Sequence, residues 1–427
     1  MHHITNVEVE GFWGTYSFAF GVNRDTTFFI GQNGSGKTTL INLIAAALTA
    51  DLRTLAKIPF NSISISFGPS RGKTNPYVSV NKVQKKNRPF ESIEYRILSG
   101  ATSMKEIKYT LDEAEEDFFY RRARTDGFPM EYYRSMQRGL VPELRNLFSV
   151  NWLSINRINS TSSPGEKQFD STIDRKIDSL SNELVRYFST LSKRKDDEVR
   201  LFQESIFISL LEGAESHAPF DIRLFGNLKD YENTLKNIFR ELHVSSDSSN
   251  AIIESFIKRA ENLSESSYIA NGEGLLDDAI FASGFRKIEN IVNRWDGLQD
   301  KLSYIFSQRD KFLTIANEML QRKQMEVTEA NELQFISRSG KKLTPHMLSS
   351  GEKQLLILLS ETLLQREQPT IFIADEPELS LHVLWQEKLV ASLNSLNPQA
   401  QLLVATHSPD IVGALEDKAI DMETLIQ

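Results

Sequence analysis

The chain has 427 residues, 40% of them hydrophobic and 25% charged, a folded composition long enough for two domains or for one domain carrying a large insertion. The absence of cysteine excludes disulfides, thiolate metal sites and cysteine nucleophiles, and suits a reducing compartment. No stretch approaches the ~20 apolar residues of a membrane span and the opening "MHHITNVEVEGFWG" has no apolar signal core, so a cytoplasmic protein without a membrane partner is expected; the net charge of -8 argues against broad adhesion to nucleic acid while leaving a local basic patch open.

The first elements alternate as strands do: "ITNVEVEGF", "TYSFAF" and "TTFFI" are short, rich in β-branched and aromatic residues, and parted by turn residues. The third runs into "GQNGSGKTT", and "TTLINLIAAALTADL" behind it is apolar at helical spacing. Strand, glycine loop and helix in that order make a phosphate site of Gly31, Asn33, Gly34, Ser35, Gly36, Lys37, Thr38 and Thr39. Glycines let the backbone turn its N–H groups toward phosphate oxygens, Lys37 would reach the β and γ phosphates, and the Thr38 hydroxyl would ligate Mg²⁺. Kinases, GTPases, helicases, transporters and repair ATPases all use such a loop, so the rest of the chain must choose among them.

"SISISF", "PYVSV", "SIEYRIL" and "EIKYTL" predict an antiparallel layer beside the nucleotide, "VNWLSINRIN" predicts a further strand, and "STSSPGEK" reads as a linker. Two stretches, "RGKTNPYVSVNKVQKKNRP" and "YRRARTDGFPMEYYRSMQRG", mix basic and aromatic residues. They are either solvated surface or a hold on a nucleic-acid backbone, the second if Lys82, Lys85, Lys86, Arg121, Arg122 and Arg124 share one face.

From Ile173 the period changes. Ile177, Leu180, Leu184, Tyr187 and Leu191 continue a helical seam, and Ile288, Ile291, Trp295, Leu298 and Leu302 hold a second one between Gly284 and about Lys323. Shorter helical material lies between, so the middle of the chain is either two antiparallel helical arms with a small tip or a compact helical bundle. Strand signals resume at "NELQFISRSGKKLT". The expected organisation is therefore residues 1–160, an inserted helical domain at 161–330, and residues 331–427.

Beyond the insertion, "LSSGEKQLLILLSETLL" has a serine cap, Ser349, and an acidic first turn ahead of an apolar helix. In "TIFIADEPELSLH" a buried-type strand ends in adjacent carboxylates; with the phosphate loop present, Asp375 is a magnesium ligand and Glu376 a general base for an attacking water. "QLLVATHSPD" follows a strand with His407, in isolation most simply a structural residue.

Together and in this order the motifs resemble those of ATP-binding-cassette (ABC) ATPases, whose signature is usually Leu-Ser-Gly-Gly-Gln; here Ser350 and Glu352 replace a glycine and the glutamine. The resemblance implies an α/β fold: an ABC-type P-loop ATPase head, a mixed sheet plus an antiparallel layer, split by the helical, coiled-coil-like insertion. It also implies that Ser349, Gly351 and Glu352 complete the nucleotide site of a partner head, and that His407 senses the γ-phosphate. The split head is similar to chromosome-maintenance (SMC), RecF and OLD-like ATPases and unlike transporters, and Glu378, Leu381 and His382 in "EPELSLH" resemble the OLD-like group. No secure glutamine serves the loop that usually joins nucleotide and insertion, with Asn156, Arg157 and Gln168 as candidates, and no OLD-type nuclease domain is expected after His407.

The implied function is an ATP- and Mg²⁺-dependent switch of self-paired heads. Nuclease-less OLD-like ATPases are similar to the sensor subunits of bacterial anti-phage systems of the PARIS and Septu types, which act with a separate nuclease; the PARIS-like form fits best. The alternatives are a RecF-like repair ATPase that binds DNA, an ATP-gated scaffold with slow turnover and, least favoured, a transporter motor.

Overall fold

The structure, a computed structural model, describes residues 2–68, 75–84, 91–98, 106–112, 139–153, 172–211, 228–242, 246–265 and 275–426. The linker candidate at 160–167, the three coupling-loop candidates Asn156, Arg157 and Gln168, and Lys85, Lys86, Arg121, Arg122 and Arg124 lie outside the described residues.

The chain forms two compact units, one of Met1–Arg186 with Lys311–Gln427 and one of Tyr187–Asp310. The first holds strands β1 (His3–Phe12), β2 (Tyr16–Gly21) and β3 (Thr26–Ile30), helices α1 (Lys37–Thr49) and α2 (Leu52–Lys57), and strands β4 (Ser62–Gly68), β5 (Tyr77–Gln84), β6 (Glu91–Leu98) and β7 (Ile107–Asp112). A short helix α3 (Leu140–Leu147) then leads into β8 (Ser149–Leu153).

After the second unit the chain returns with β9 (Lys323–Val327), β10 (Leu333–Ser337) and β11 (Lys342–Leu343), which pair as a small antiparallel sheet. Helix α8 (Ser350–Leu364), numbered to follow the helices of the second unit, precedes β12 (Thr370–Asp375), α9 (Val383–Leu396) and β13 (Gln401–Ala405). The last elements are α10 (Pro409–Val412), β14 (Ala419–Asp421) and α11 (Met422–Leu425).

Two sheets organise this unit. β14-β3-β13-β12-β8 is a five-stranded sheet in which every pairing is parallel. Its central strands are buried on both faces, as the continuous apolar runs "TTFFI", "TIFIA" and "QLLVA" require. The other sheet, β2-β1-β4-β5-β6-β7, is antiparallel and alternates. Its registers align Ile63 with Val80 and Tyr95, and Ile65 with Val78 and Ile97, which sets one apolar face toward the core.

Helix α1 shares that core with both sheets and is buried on almost every side from Leu40 to Leu48, which explains why its sequence is apolar all round rather than striped. The Tyr95 hydroxyl donates to the Ala47 carbonyl at 3.2 Å, satisfying a polar group the core would otherwise strand. Gln401 joins the sheets: its amide donates to Ile4 O at 2.8 Å and Asn23 O at 2.7 Å, and its carbonyl accepts from Ile4 N at 2.7 Å.

The second unit is helical. It comprises the later part of α4 (Thr172–Leu211), α5 (Leu228–Glu241), α6 (Asp247–Glu265) and most of α7 (Leu275–Met319). Phe202, Leu235, Ile238, Ile257, Phe285 and Trp295 lie in its core. Arg294 donates to Ser205 O and Lys301 pairs with Glu198, so partners descend α4 as they ascend α7 and the two helices run antiparallel. The second long helix begins at Leu275 rather than Gly284 and ends at Met319 rather than near Lys323. Gly284 is tolerated in its interior at a cost of about 1 kcal/mol, and Lys323 already belongs to β9.

Candidate nucleotide site

The loop from β3 to α1 is shaped by glycines in left-handed backbone. Gly31 has φ 141° and Gly36, the cap of α1, has φ 95°. A Cβ on Gly31 would approach Ser35 Oγ to 2.9 Å, and one on Gly36 would approach the Trp13 ring to 3.0 Å. Asn33 and Gly34 are exposed at the tip of the loop, Ser35 is buried beneath it, and Thr39 is half-buried in the first turn of α1. Lys37 is buried, with Nζ donating to Gly31 O and Gln32 O at 2.9 Å each. Burial pulls its pKa down, against the opposing fields of Glu376, Asp375, Glu378 and Asp421. The loop thus closes two backbone carbonyls and the Ser35 hydroxyl around a lysine whose charge has been partly desolvated, and glycine-rich backbone of this kind at a helix start suits an anionic polyphosphate.

Across from the loop, β12 delivers Asp375. Thr38 Oγ1 donates to Asp375 Oδ1 at 3.0 Å. This hydroxyl and carboxylate form an oxygen-only donor pair, and among the described residues no group of three or more His, Cys, Asp or Glu could hold a metal. Such a sparse, hard donor set fits Mg²⁺, which takes one or two carboxylates and completes its shell with phosphate and water.

Glu376 follows in left-handed backbone at φ 48°, its N–H donating to Ala405 O on β13 at 2.8 Å. The strained turn holds the carboxylate at the end of the sheet, where Glu376 Oε1 lies 3.7 Å from His407 Nε2. Glu378 holds the loop after β13: one carboxylate oxygen accepts from the Thr406 hydroxyl at 2.6 Å, His407 N at 2.8 Å and Ser408 N at 3.3 Å. His407 is therefore aimed by a carboxylate that approaches its backbone.

Ser349, Gly351 and Glu352 form a second group. Ser349 caps α8 in a reciprocal box: its N–H donates to Glu352 Oε2 at 2.8 Å, and its hydroxyl accepts from Glu352 N. Lys323 Nζ donates to both Glu352 oxygens, at 2.8 and 2.6 Å. Burial pushes the Glu352 carboxyl up, and the bonds from Lys323 and Ser349 outweigh it, leaving the group below its ordinary value. A Cβ on Gly351 would lie 2.3 Å from Ser380 O, so only glycine fits. No hydrogen bond or ion pair among the described residues joins this group to the loop at 31–38. Lys353 donates to Asp174 at 2.7 Å, tying the first turn of α8 to the first turn of α4.

Structure adds residues that sequence reasoning missed. Trp13, at φ 55° in the turn from β1 to β2, stacks on Phe12 at 5.0 Å with its ring beside Gly36, and remains partly exposed. The signal was an aromatic between glycines in "GFWG". Lys323 and the role of Glu378 had no local signal, since their partners lie 28 or more residues away. Lys82, a member of the basic candidate cluster, donates instead to Ala56 O and Ile58 O at the end of α2 and lies over the Phe60 ring. No helix among the described residues is long and apolar enough to cross a membrane.

A family model described as "AAA domain, putative AbiEii toxin, Type IV TA system" matches residues 26–413. The chain is 20% identical over 418 residues to "Retron Vc95 probable ATPase" of Vibrio cholerae serotype O1 biovar El Tor, covering 93% of this chain and 68% of that one. It is 22% identical over 439 residues to "Retron Ec83 probable ATPase" of Escherichia coli, covering 98% and 70%. Among solved structures it is similar to the Smc head domain with an extended coiled coil from Pyrococcus furiosus, bound to the C-terminal domain of ScpA, with TM-score 0.37, 12% identity and coverage of 100% and 95%. A SmcHead bound to the C-winged helix domain of ScpA gives TM-score 0.38, 12% identity and coverage of 96% and 90%.

Proposed function

Because the chain belongs to the AAA-domain family whose model spans residues 26–413, a P-loop ATPase of ABC type, we propose that it binds ATP with Mg²⁺ and hydrolyses it as a switch of paired heads. The observation that carries this reading is the convergence of Thr38, Asp375, Glu376 and His407 at the ends of α1, β12 and β13.

The backbone of Gly31–Gly36, with Asn33, Gly34, Ser35 and Thr39, lines the triphosphate, and Lys37 exchanges its two carbonyl partners for phosphate oxygens. Thr38 and Asp375 would hold Mg²⁺, which when bound neutralises charge on the β and γ oxygens. Glu376 takes the proton of the attacking water as its oxygen bonds to the γ-phosphorus and ADP leaves; His407, beside it, donates toward the γ-phosphate oxygens. Trp13 stacks on the base.

Ser349, Gly351 and Glu352 present the capped N-terminus of α8 to the nucleotide of a second copy. The Lys353–Asp174 pair then passes a displacement of α8 to α4 in the helical insertion at about 161–330. Kinship with retron ATPases and the Glu-Pro-Glu run at 376–378 support a role in bacterial anti-phage defence, PARIS-like, with a separately encoded nuclease as effector.

The test is the mass in solution of wild type and Glu376→Gln, each with and without ATP. ATP-driven association, strongest in the variant that cannot turn over, supports paired heads. A mass and thermal stability indifferent to nucleotide in both proteins overturns the shared site and leaves a scaffold.

A further inference from the structure

The turn that carries Glu376 is held from outside itself. Glu376, at φ 48°, and Ser380, at φ 69°, lie in left-handed backbone without being glycine, and Glu376 does so immediately before a proline. Residues 376–380 keep this shape only where their neighbours impose it. Part of the hold is local: Leu379 N donates to Glu376 O at 3.2 Å and Leu381 N to Glu378 O at 2.8 Å. Part comes from β13, whose Ala405 carbonyl accepts from Glu376 N. The rest comes from α8, where Gln354 Nε2 donates to the Pro377 carbonyl at 2.8 Å.

Gln354 stands where an apolar residue would be the simpler choice. It is 4% exposed and is followed by Leu355, Leu356, Ile357, Leu358 and Leu359, all buried. An amide in that place is satisfied by reaching across to the backbone of the Glu376 turn, and a bond so shielded from water resists exchange with it. Three residues earlier the two elements touch again, since a Cβ on Gly351 would lie 2.3 Å from Ser380 O. The first turn of α8 therefore meets the loop twice, by packing at Ser380 and by hydrogen bonding at Pro377. The bonded peptide lies between Glu376, beside the His407 ring, and Glu378, whose carboxylate accepts from Thr406, His407 and Ser408.

We propose that Gln354 is a positioning residue for hydrolysis, its amide fixing the peptide between Glu376 and Glu378 and so setting where the Glu376 carboxylate stands. The inference rests on the reading of Glu376 as general base and extends it. It makes α8 part of the hydrolytic site of its own chain, while Ser349 at the start of the same helix faces the nucleotide of a second copy. A displacement of that start by the second copy's nucleotide reaches Glu376 through a short, buried bond, so occupancy of one head governs turnover in the other. The amide suits the task because it donates without charge. A lysine there would add a cation beside Asp375, Glu376 and Glu378, whose field opposes the effect of burial on Lys37.

The experiment uses the full chain. Gln354→Met keeps the length of the side chain and removes the donor. Hydrogen exchange of the Leu379 and Leu381 amides reads the turn without nucleotide; both should exchange roughly tenfold faster than in wild type, with the amides of β13 unchanged. ATP titration should give a kcat lower by roughly tenfold or more with KM within about twofold, and the variant should add no further loss to Glu376→Gln, because the group it aims is already gone. The proposal is overturned by exchange equal to wild type, by a lowered Tm with kcat intact, or by losses that multiply in the double variant. Where Gln354→Met does not fold, Glu376→Gln carries the test: ATP should slow exchange at Leu379 and Leu381, and Ser349→Ala should abolish the slowing. Slowing that survives Ser349→Ala, or none at all, overturns the proposal. If wild type does not hydrolyse ATP, the general-base reading falls, and the exchange measurement still decides whether Gln354 holds the turn.

Discussion

Thr38 Oγ1 donates to Asp375 Oδ1 at 3.0 Å although the two residues are 337 positions apart. One stands in the first turn of a helix buried on nearly every side, the other at the end of a strand buried on both faces. Their meeting is therefore fixed by the core before any ligand arrives, and the site is assembled by the fold rather than by the nucleotide.

Asp375→Asn should leave nucleotide binding largely intact and lower hydrolysis about 100-fold or more, since the amide weakens the Mg²⁺ shell. The same loss in Thr38→Ala should not add to it in the double variant, because both act on one ion. Mg²⁺ titration of kcat measures this. Full additivity would mean that the two residues do not share a metal.

How much of this was readable beforehand depends on the range of each interaction. The phosphate loop, the Asp375–Glu376 pair and the cap at Ser349 are local patterns, set by backbone conformation and by residues within four positions, and the chain displays them openly. The apolar run of α1 and the alternation of β4 to β6 likewise announce a buried helix and a half-buried sheet. What stayed hidden is tertiary. Nothing near Glu378 foretells that it accepts from Thr406, His407 and Ser408, and nothing near Lys323 foretells Glu352. Gly284 looked like a helix boundary because its weak propensity is a local signal, whereas the packing of Phe281 and Phe285 on either side overrides it.

Glu378 is a positioning residue, and Glu378→Gln should show it. The amide keeps one acceptor but loses the charge that strengthens bonds to two backbone N–H groups and a hydroxyl. Expected is a fall in kcat of roughly tenfold with KM for ATP little changed, against about 10²- to 10⁴-fold for Glu376→Gln. A lowered Tm with kcat intact would make Glu378 a purely structural residue.

Trp13→Ala should raise KM for ATP about fivefold to 100-fold and leave kcat nearly unchanged, the range that one base–aromatic stack supplies. Trp13→Phe should keep most of the affinity. Quenching of Trp13 fluorescence by ATP, lost in the variant while the other three tryptophans remain, checks the contact directly. An unaltered KM would place the base elsewhere.

The Ser349–Glu352–Lys323 network makes the start of α8 sensitive to acid. The folded carboxyl of Glu352 titrates below its ordinary value, so its contribution is complete above the ordinary carboxylate range and is lost as pH falls through the lower folded value. Removing the carboxylate by Glu352→Gln should destabilise the first turn by about 1 kcal/mol at neutral pH, in the range of helix caps, and the difference from wild type should close under acid. Hydrogen-exchange protection of the Glu352 and Lys353 amides reads this turn locally, without requiring the two units to unfold together. Lys323→Met should move the loss of protection to higher pH, because the bond that most lowers the Glu352 carboxyl is gone. If protection in wild type and Glu352→Gln stays equally different down to the most acid pH, the cap is held by packing of Gly351 against Ser380 and not by charge.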